Sequence, residues 1–318
     1  MINKLMNELS KKADVNNSLA ICLHVYLNNL GKEISIPYIS GLLGAAFSPT
    51  FVDGEDCTAW WMEGGFDINI DFVMDALGLK FQKPEIMITL DELKNKSGNY
   101  QNQRNEIIGH VKDGHKVIMN SWPLWTIITG YNEDKDKFEL AQFEGFPVYE
   151  NYNGALIMKG EKTTLPKDKI FKIALSNGIK IATGETQNGI FSYGGRLYKE
   201  TVETLKKPNF CEPCAKIGEK ADAGCLMRTL ARMIGTVREY MGFIMDTEDF
   251  HGELNDKLGH TFEINHEMER ILLSCLRDQN IMENWNDGKT RDLISDELMM
   301  IYDHHRNFSE LLSNLEIK

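Results

Sequence analysis

The residues with the most chemistry to offer are six cysteines: Cys22, Cys57, Cys211, Cys214, Cys225 and Cys275. A thiol acts as a nucleophile only as the thiolate, which the first turn of a helix or a neighbouring imidazole favours. It acts as a structural ligand when other thiolates share its metal. Cys211-Glu212-Pro213-Cys214 followed by Cys225 has the second pattern. A CxxC turn brings two thiolates to one Zn²⁺, and a third thiolate plus His251, His260 or His266 would close a tetrahedral site. The same segment also reads as an interdomain turn with incidental thiols. Cys22 has two readings as well: a nucleophile, or a small apolar residue buried on a helix face. His24, two positions on, faces elsewhere on that helix. His110 and His115 precede a β-rich run, and His115 reads as a solvated turn residue. Trp60, Trp122 and Trp125 are candidates to line a ligand cleft, although large aromatics also fill cores. Gly64-Gly65 and Gly194-Gly195 are turn glycines without the strand-loop-helix setting of a phosphate loop.

Elements must position these groups, and the periodicity supplies them. Asp14, Asn16 and Asn17 offer N-caps for a helix carrying Leu19, Leu23, Leu27 and Leu30, with Gly31 as its stop. Pro37 suits a second helix start, and Asp67 opens a third that ends at Gly78. The period then changes to two. Lys116 to Trp122, Trp125 to Asn132 and Lys137 to Phe143 read as strands, the last two joined by the polar turn 132–136. Further strands are expected at Gly154 to Met158, Ile170 to Ala174 and Ile179 to Ala182. After Pro208 the helical period returns in three stripes: Leu226 to Ile244, Ile264 to Cys275 and Leu298 to Leu312. Helices first and an antiparallel sheet afterwards make an α+β fold rather than a doubly wound one. A domain over 1–207 and a helical bundle over 208–318 are the expected divisions.

Composition limits the partners. The 318 residues carry 35 Lys+Arg against 47 Asp+Glu, a net charge of -12. From 211 to 318 the balance is 12 against 21, net -9. A nucleic-acid binder needs the opposite sign, so none is expected as a partner. No apolar run approaches the roughly 20 residues of a membrane span, and the N-terminus lacks a signal-peptide core. A cytoplasmic protein is expected, in which cysteines stay as thiols or metal ligands. Its oligomeric state is left open.

Three stretches resemble one family: Leu27-Asn28-Asn29-Leu30-Gly31-Lys32-Glu33-Ile34-Ser35-Ile36-Pro37-Tyr38 running into Gly41-Leu42-Leu43-Gly44-Ala45-Ala46-Phe47, then Thr58-Ala59-Trp60, then Pro123-Leu124-Trp125-Thr126-Ile127-Ile128-Thr129-Gly130-Tyr131-Asn132. Together they resemble the papain-like, C39-type cysteine peptidase superfamily, in the branch of the N-terminal domain of butirosin biosynthesis protein H. The resemblance covers about residues 15 to 180. It implies a helix bearing a cysteine nucleophile, packed on an antiparallel sheet that bears a histidine and then an Asp or Asn. Cys22 lies on the implied helix, with Ser18 in its first turn. The histidine position falls on Leu124, Trp125 or Thr126, none of which takes a proton, and the third position on Gln142, an amide that could orient an imidazole.

Three functions follow as expectations. The chain is a thiol-dependent acyl or amide transferase or hydrolase of specialised metabolism, with Cys22 as nucleophile and Gln142 beside it. Alternatively it is a papain-like binding protein without the catalytic histidine, holding a small molecule or a carrier-protein-bound acyl group. From another class, it is a metal-dependent protein whose site lies in the helical half. No cofactor is expected apart from the Zn²⁺ that Cys211, Cys214 and Cys225 would hold.

Overall fold

A computed structural model describes residues 17–49, 69–86, 88, 92, 95–121, 124–141, 154–185, 193–207, 219–284 and 287–317. The chain divides into two compact units. One joins Met1–Ile34 to Asp71–Leu165, and the other joins Ser35–Ile70 to Pro166–Lys318.

The first unit contains helix α1 (Ser18–Asn29), α3 (Ile70–Leu77, all but its first residue), α4 (Tyr100–Lys112) and a five-stranded sheet. Its strands are β1 (Leu79–Gln82), β2 (Val117–Ser121), β3 (Leu124–Asn132), β4 (Lys137–Leu140) and β5 (Ala155–Glu161). They lie in the order β1-β5-β2-β3-β4, and every pairing is antiparallel. The fold is thus mixed helix and sheet, as the change of period indicates. The alternate residues Val117 and Met119 of β2 and Ala155 and Ile157 of β5 meet Ile128, Phe138 and the α4 residues Tyr100 and Ile107 in one apolar cluster. Arg104 of α4 clamps the β3–β4 hairpin. Its guanidinium donates to Asp136 Oδ1 at 2.8 Å and to the Asp136 carbonyl at 2.6 Å, and it lies over the Tyr131 and Phe138 rings. The Tyr131 hydroxyl donates to the same carboxylate, and together the hydroxyl and guanidinium hold Asp136 below its ordinary pKa.

The second unit is helical among its described residues. It contains α2 (Ile36–Leu43), α5 (Lys167–Ala182), α6 (Gly195–Leu205), α7 (Glu219–Asp246), α8 (Asn255–Arg277), α9 (Gln279–Asn284) and α10 (Gly288–Ser313). Ser35 caps α2 by accepting the Tyr38 N–H at 3.1 Å, with Pro37 in the first turn, and Gly44 at φ 82° ends it. The three stripes expected after Pro208 are the buried faces of α7, α8 and α10, which pack in that order. Leu197, Leu230, Ile234, Leu272, Leu298 and Ile301 belong to their shared core.

The strands expected at Ile170 to Ala174 and Ile179 to Ala182 are both parts of α5. Ile170, Phe171, Ala174, Leu175, Gly178, Ile181 and Ala182 are its buried positions, a 3.6-residue spacing that overrides the β preference of isolated isoleucines. Gly194, at φ 64°, turns the chain as expected, but Gly195 already begins α6. Among the described residues, no helix is long and apolar enough to cross a membrane.

Candidate functional site

The place to look for chemistry in the first unit is where α1 begins. Asn17 has an extended backbone, φ -140°, and its Oδ1 accepts the Ala20 N–H at 3.0 Å. An amide oxygen in that position satisfies one of the orphan donors of the first turn, which is why the helix starts at Ser18. No acidic residue lies in that turn. The helix is buried on nearly every side, from Ser18 to Leu23 and from Val25 to Leu27, so it runs through the unit rather than over it.

The start of β3 lies on this helix end. Trp125 donates its backbone N–H to Ser18 Oγ at 2.7 Å, and both residues are buried. Leu124 and Thr126, on either side of Trp125, are buried too. Asn17 is only 3% exposed, and its Nδ2 has no hydrogen-bond partner among the described residues. These polar groups, contributed by a helix end and a strand 107 positions away in sequence, are the ones brought together.

Cys22 lies one turn further into α1 and is 0% exposed. At that depth the helix-end field that would favour a thiolate has largely faded. His24 is tied elsewhere. Its Nδ1–H donates to the Ile34 carbonyl at 2.6 Å, and Asn28 Nδ2 donates to its Nε2 at 2.8 Å, so both ring nitrogens are engaged. His110 and His115 stand ring to ring, with centroids 5.7 Å apart, at the end of α4 and before β2. Lys159 Nζ donates to His110 Nδ1 at 3.2 Å, and burial together with this cation keeps His110 below its ordinary pKa.

Of the other expected site residues, Gln142, Trp60, Trp122, Cys211 and Cys214 lie outside the described residues. Cys225 falls on the backbone of α7. Trp125 is buried, 6% exposed, and its ring lies beside Gly154. The three histidines weighed as a fourth zinc ligand are separately placed within the second unit. His251 is buried against the Phe171 ring and within 3.2 Å of Thr247 Oγ1, and burial lowers its pKa. His260 is exposed and pairs with Glu263 at 3.4 Å, and His266 is exposed on the same helix. Among the described residues, no three His, Cys, Asp or Glu side chains are grouped to hold a metal.

Sequence reasoning identified Asn17 as a cap but not as a donor, because the partner status of its second amide atom depends on what surrounds it. Ser18 was visible as the first-turn residue, whereas its bond to Trp125 is a contact that no local spacing encodes. No protein-family model matches this chain, and no curated protein matches it.

Proposed function

We propose that the chain is a non-catalytic binding protein of papain-like fold, and that it holds an acyl-bearing small molecule, free or attached to a carrier protein, at the start of α1. The observation that carries this reading is the Trp125 N–H to Ser18 Oγ hydrogen bond. It supports the alignment of a helix N-terminus with the start of a strand, the two places where a papain-like enzyme needs its thiol and its imidazole. Here those places carry Ser18 and Leu124-Trp125-Thr126. Without a base, the serine hydroxyl is a weak nucleophile, and it already accepts a backbone N–H. The one thiol on the helix, Cys22, sits a turn too deep and is fully covered. What such a junction retains is a buried polar end suited to receiving an oxygen-rich group.

The test is mass-spectrometric mapping of iodoacetamide adducts on the native protein at neutral pH. Cys22 is expected to stay unmodified until urea is added, and to behave like Cys275, whose thiol burial and the neighbouring Glu297 push up to about 11. No thioester turnover is expected in the same preparation. Rapid native labelling of Cys22 together with acyl-enzyme accumulation on a thioester substrate would overturn the proposal in favour of a thiol enzyme.

A further inference from the structure

The geometry points to the first turn of α1 as the receptor of a carboxylate group, with Asn17 Nδ2 as its side-chain donor. This rests on the reading of the chain as a binding protein and selects, among the ligands of that reading, the free acid over the carrier-bound thioester, whose acyl carbon bears no carboxylate. The capping duty of Asn17 uses Oδ1 alone. Ser or Asp performs that duty equally well and brings no amino group with it. Asn17 instead buries an NH₂ that has no partner among the described residues, at a site that is 3% exposed. A donor left unsatisfied in a protein interior is destabilising, so natural structures almost always supply an acceptor, from the protein or from outside it.

The sign of that acceptor follows from its surroundings. A 12-residue helix presents partial positive charge at its N-terminus, and the first turn of α1 contains no Asp or Glu to offset it. Ser18 Oγ already accepts the Trp125 N–H, and the Ala20 and Ile21 N–H groups are taken by Asn17 Oδ1 and O. Asn17 Nδ2 is therefore a buried side-chain donor open to a ligand, in a field that prefers an anion over a neutral carbonyl. The apolar residues that follow, Leu19 and Leu23, are buried and not charged, so the field is little screened.

Octanoate serves as the probe, octanamide as its neutral match, and the Asn17 side-chain amide resonances and titration calorimetry as readouts. Octanoate is expected to shift those resonances and to bind at least about tenfold more tightly than octanamide. Asn17→Asp keeps the cap and should raise the urea midpoint or leave it unchanged, while binding falls at least about tenfold because a donor has become an anion. Undiminished octanoate binding by Asn17→Asp, equal binding of octanamide, or no binding at millimolar octanoate would each overturn the carboxylate site. Iodoacetamide mapping on the same samples separates the two readings. If Cys22 stays protected while octanoate ignores Asn17, only the carboxylate site fails; if Cys22 reacts and turns over a thioester, the binding-protein reading fails.

Discussion

At the scale of single residues, the second unit carries a buried titratable group whose behaviour can be worked out. His305 is 2% exposed, and its Nε2–H donates to the Ala182 carbonyl at 3.1 Å, with the Tyr198 and Phe308 rings packed around it. Burial pulls its pKa down to about 4, against the modest opposing pull of that carbonyl. Above pH 6.5 the imidazole is neutral whether the chain is folded or not, so stability is unaffected. As the pH falls from 6.5 towards 4, the unfolded chain takes up a proton that the folded one refuses, and stability is lost. One pKa unit corresponds to roughly 1.4 kcal/mol, so His305 should remove about 2 kcal/mol between pH 7 and pH 5. Urea unfolding of wild type and His305→Asn at both pH values checks this. The variant keeps a donor for Ala182 but does not titrate, and its loss over the interval should be smaller by about that amount. Equal losses in the two proteins would mean that the imidazole is hydrated or already charged in the fold.

At the scale of elements, α2 and α7 approach each other closely. A Cβ on Gly41 would meet the Phe243 ring at 2.0 Å, and one on Gly242 would meet Pro37 at 2.6 Å. Phe243 is itself 0% exposed and wedged against Phe47 and Phe171, so it has nowhere to retreat. Gly41→Ala is therefore expected to destabilise the protein by about 1–3 kcal/mol through overpacking. Gly259 in α8 has nothing within 4 Å of its would-be Cβ, so Gly259→Ala should stabilise by about 0.5–1 kcal/mol through helix propensity alone. Thermal unfolding of the pair reports whether contact or propensity governs each site. The legibility of the elements follows the same physics. The helices α7, α8 and α10 were readable because long apolar stripes repeat at 3.6 residues, and β2 to β4 because short β-branched runs flank a polar turn. Helix α4 was not, since its buried positions include Gln103 and Arg104, which leave no apolar periodicity to find. In α5, isoleucines in short windows imitated strands. At the candidate site, the cap was legible and the helix–strand junction was not, because Ser18 and Trp125 meet only through the fold.

At the scale of the whole molecule, the two units are interleaved in sequence: each is built from two separate stretches of chain. A cut at residue 207 would leave α2 and α5 without α7, α8 and α10. Hydrogen exchange on a 1–207 fragment should show β2, β3 and β5 protected as in the full chain, and α2 exchanging almost freely. Persistent protection of α2 in the fragment would instead mean that its core is complete before residue 208. The interleaving also has a consequence during synthesis. Residues 36–43 leave the ribosome early, yet Gly242 and Phe243 of α7, which pack on Pro37, Tyr38 and Gly41, are made about 200 residues later. At ordinary elongation rates that gap lasts roughly 10–40 seconds. For that interval the nascent chain carries α2 without its α7 partner, an apolar segment of the kind that chaperones shield at the exit tunnel.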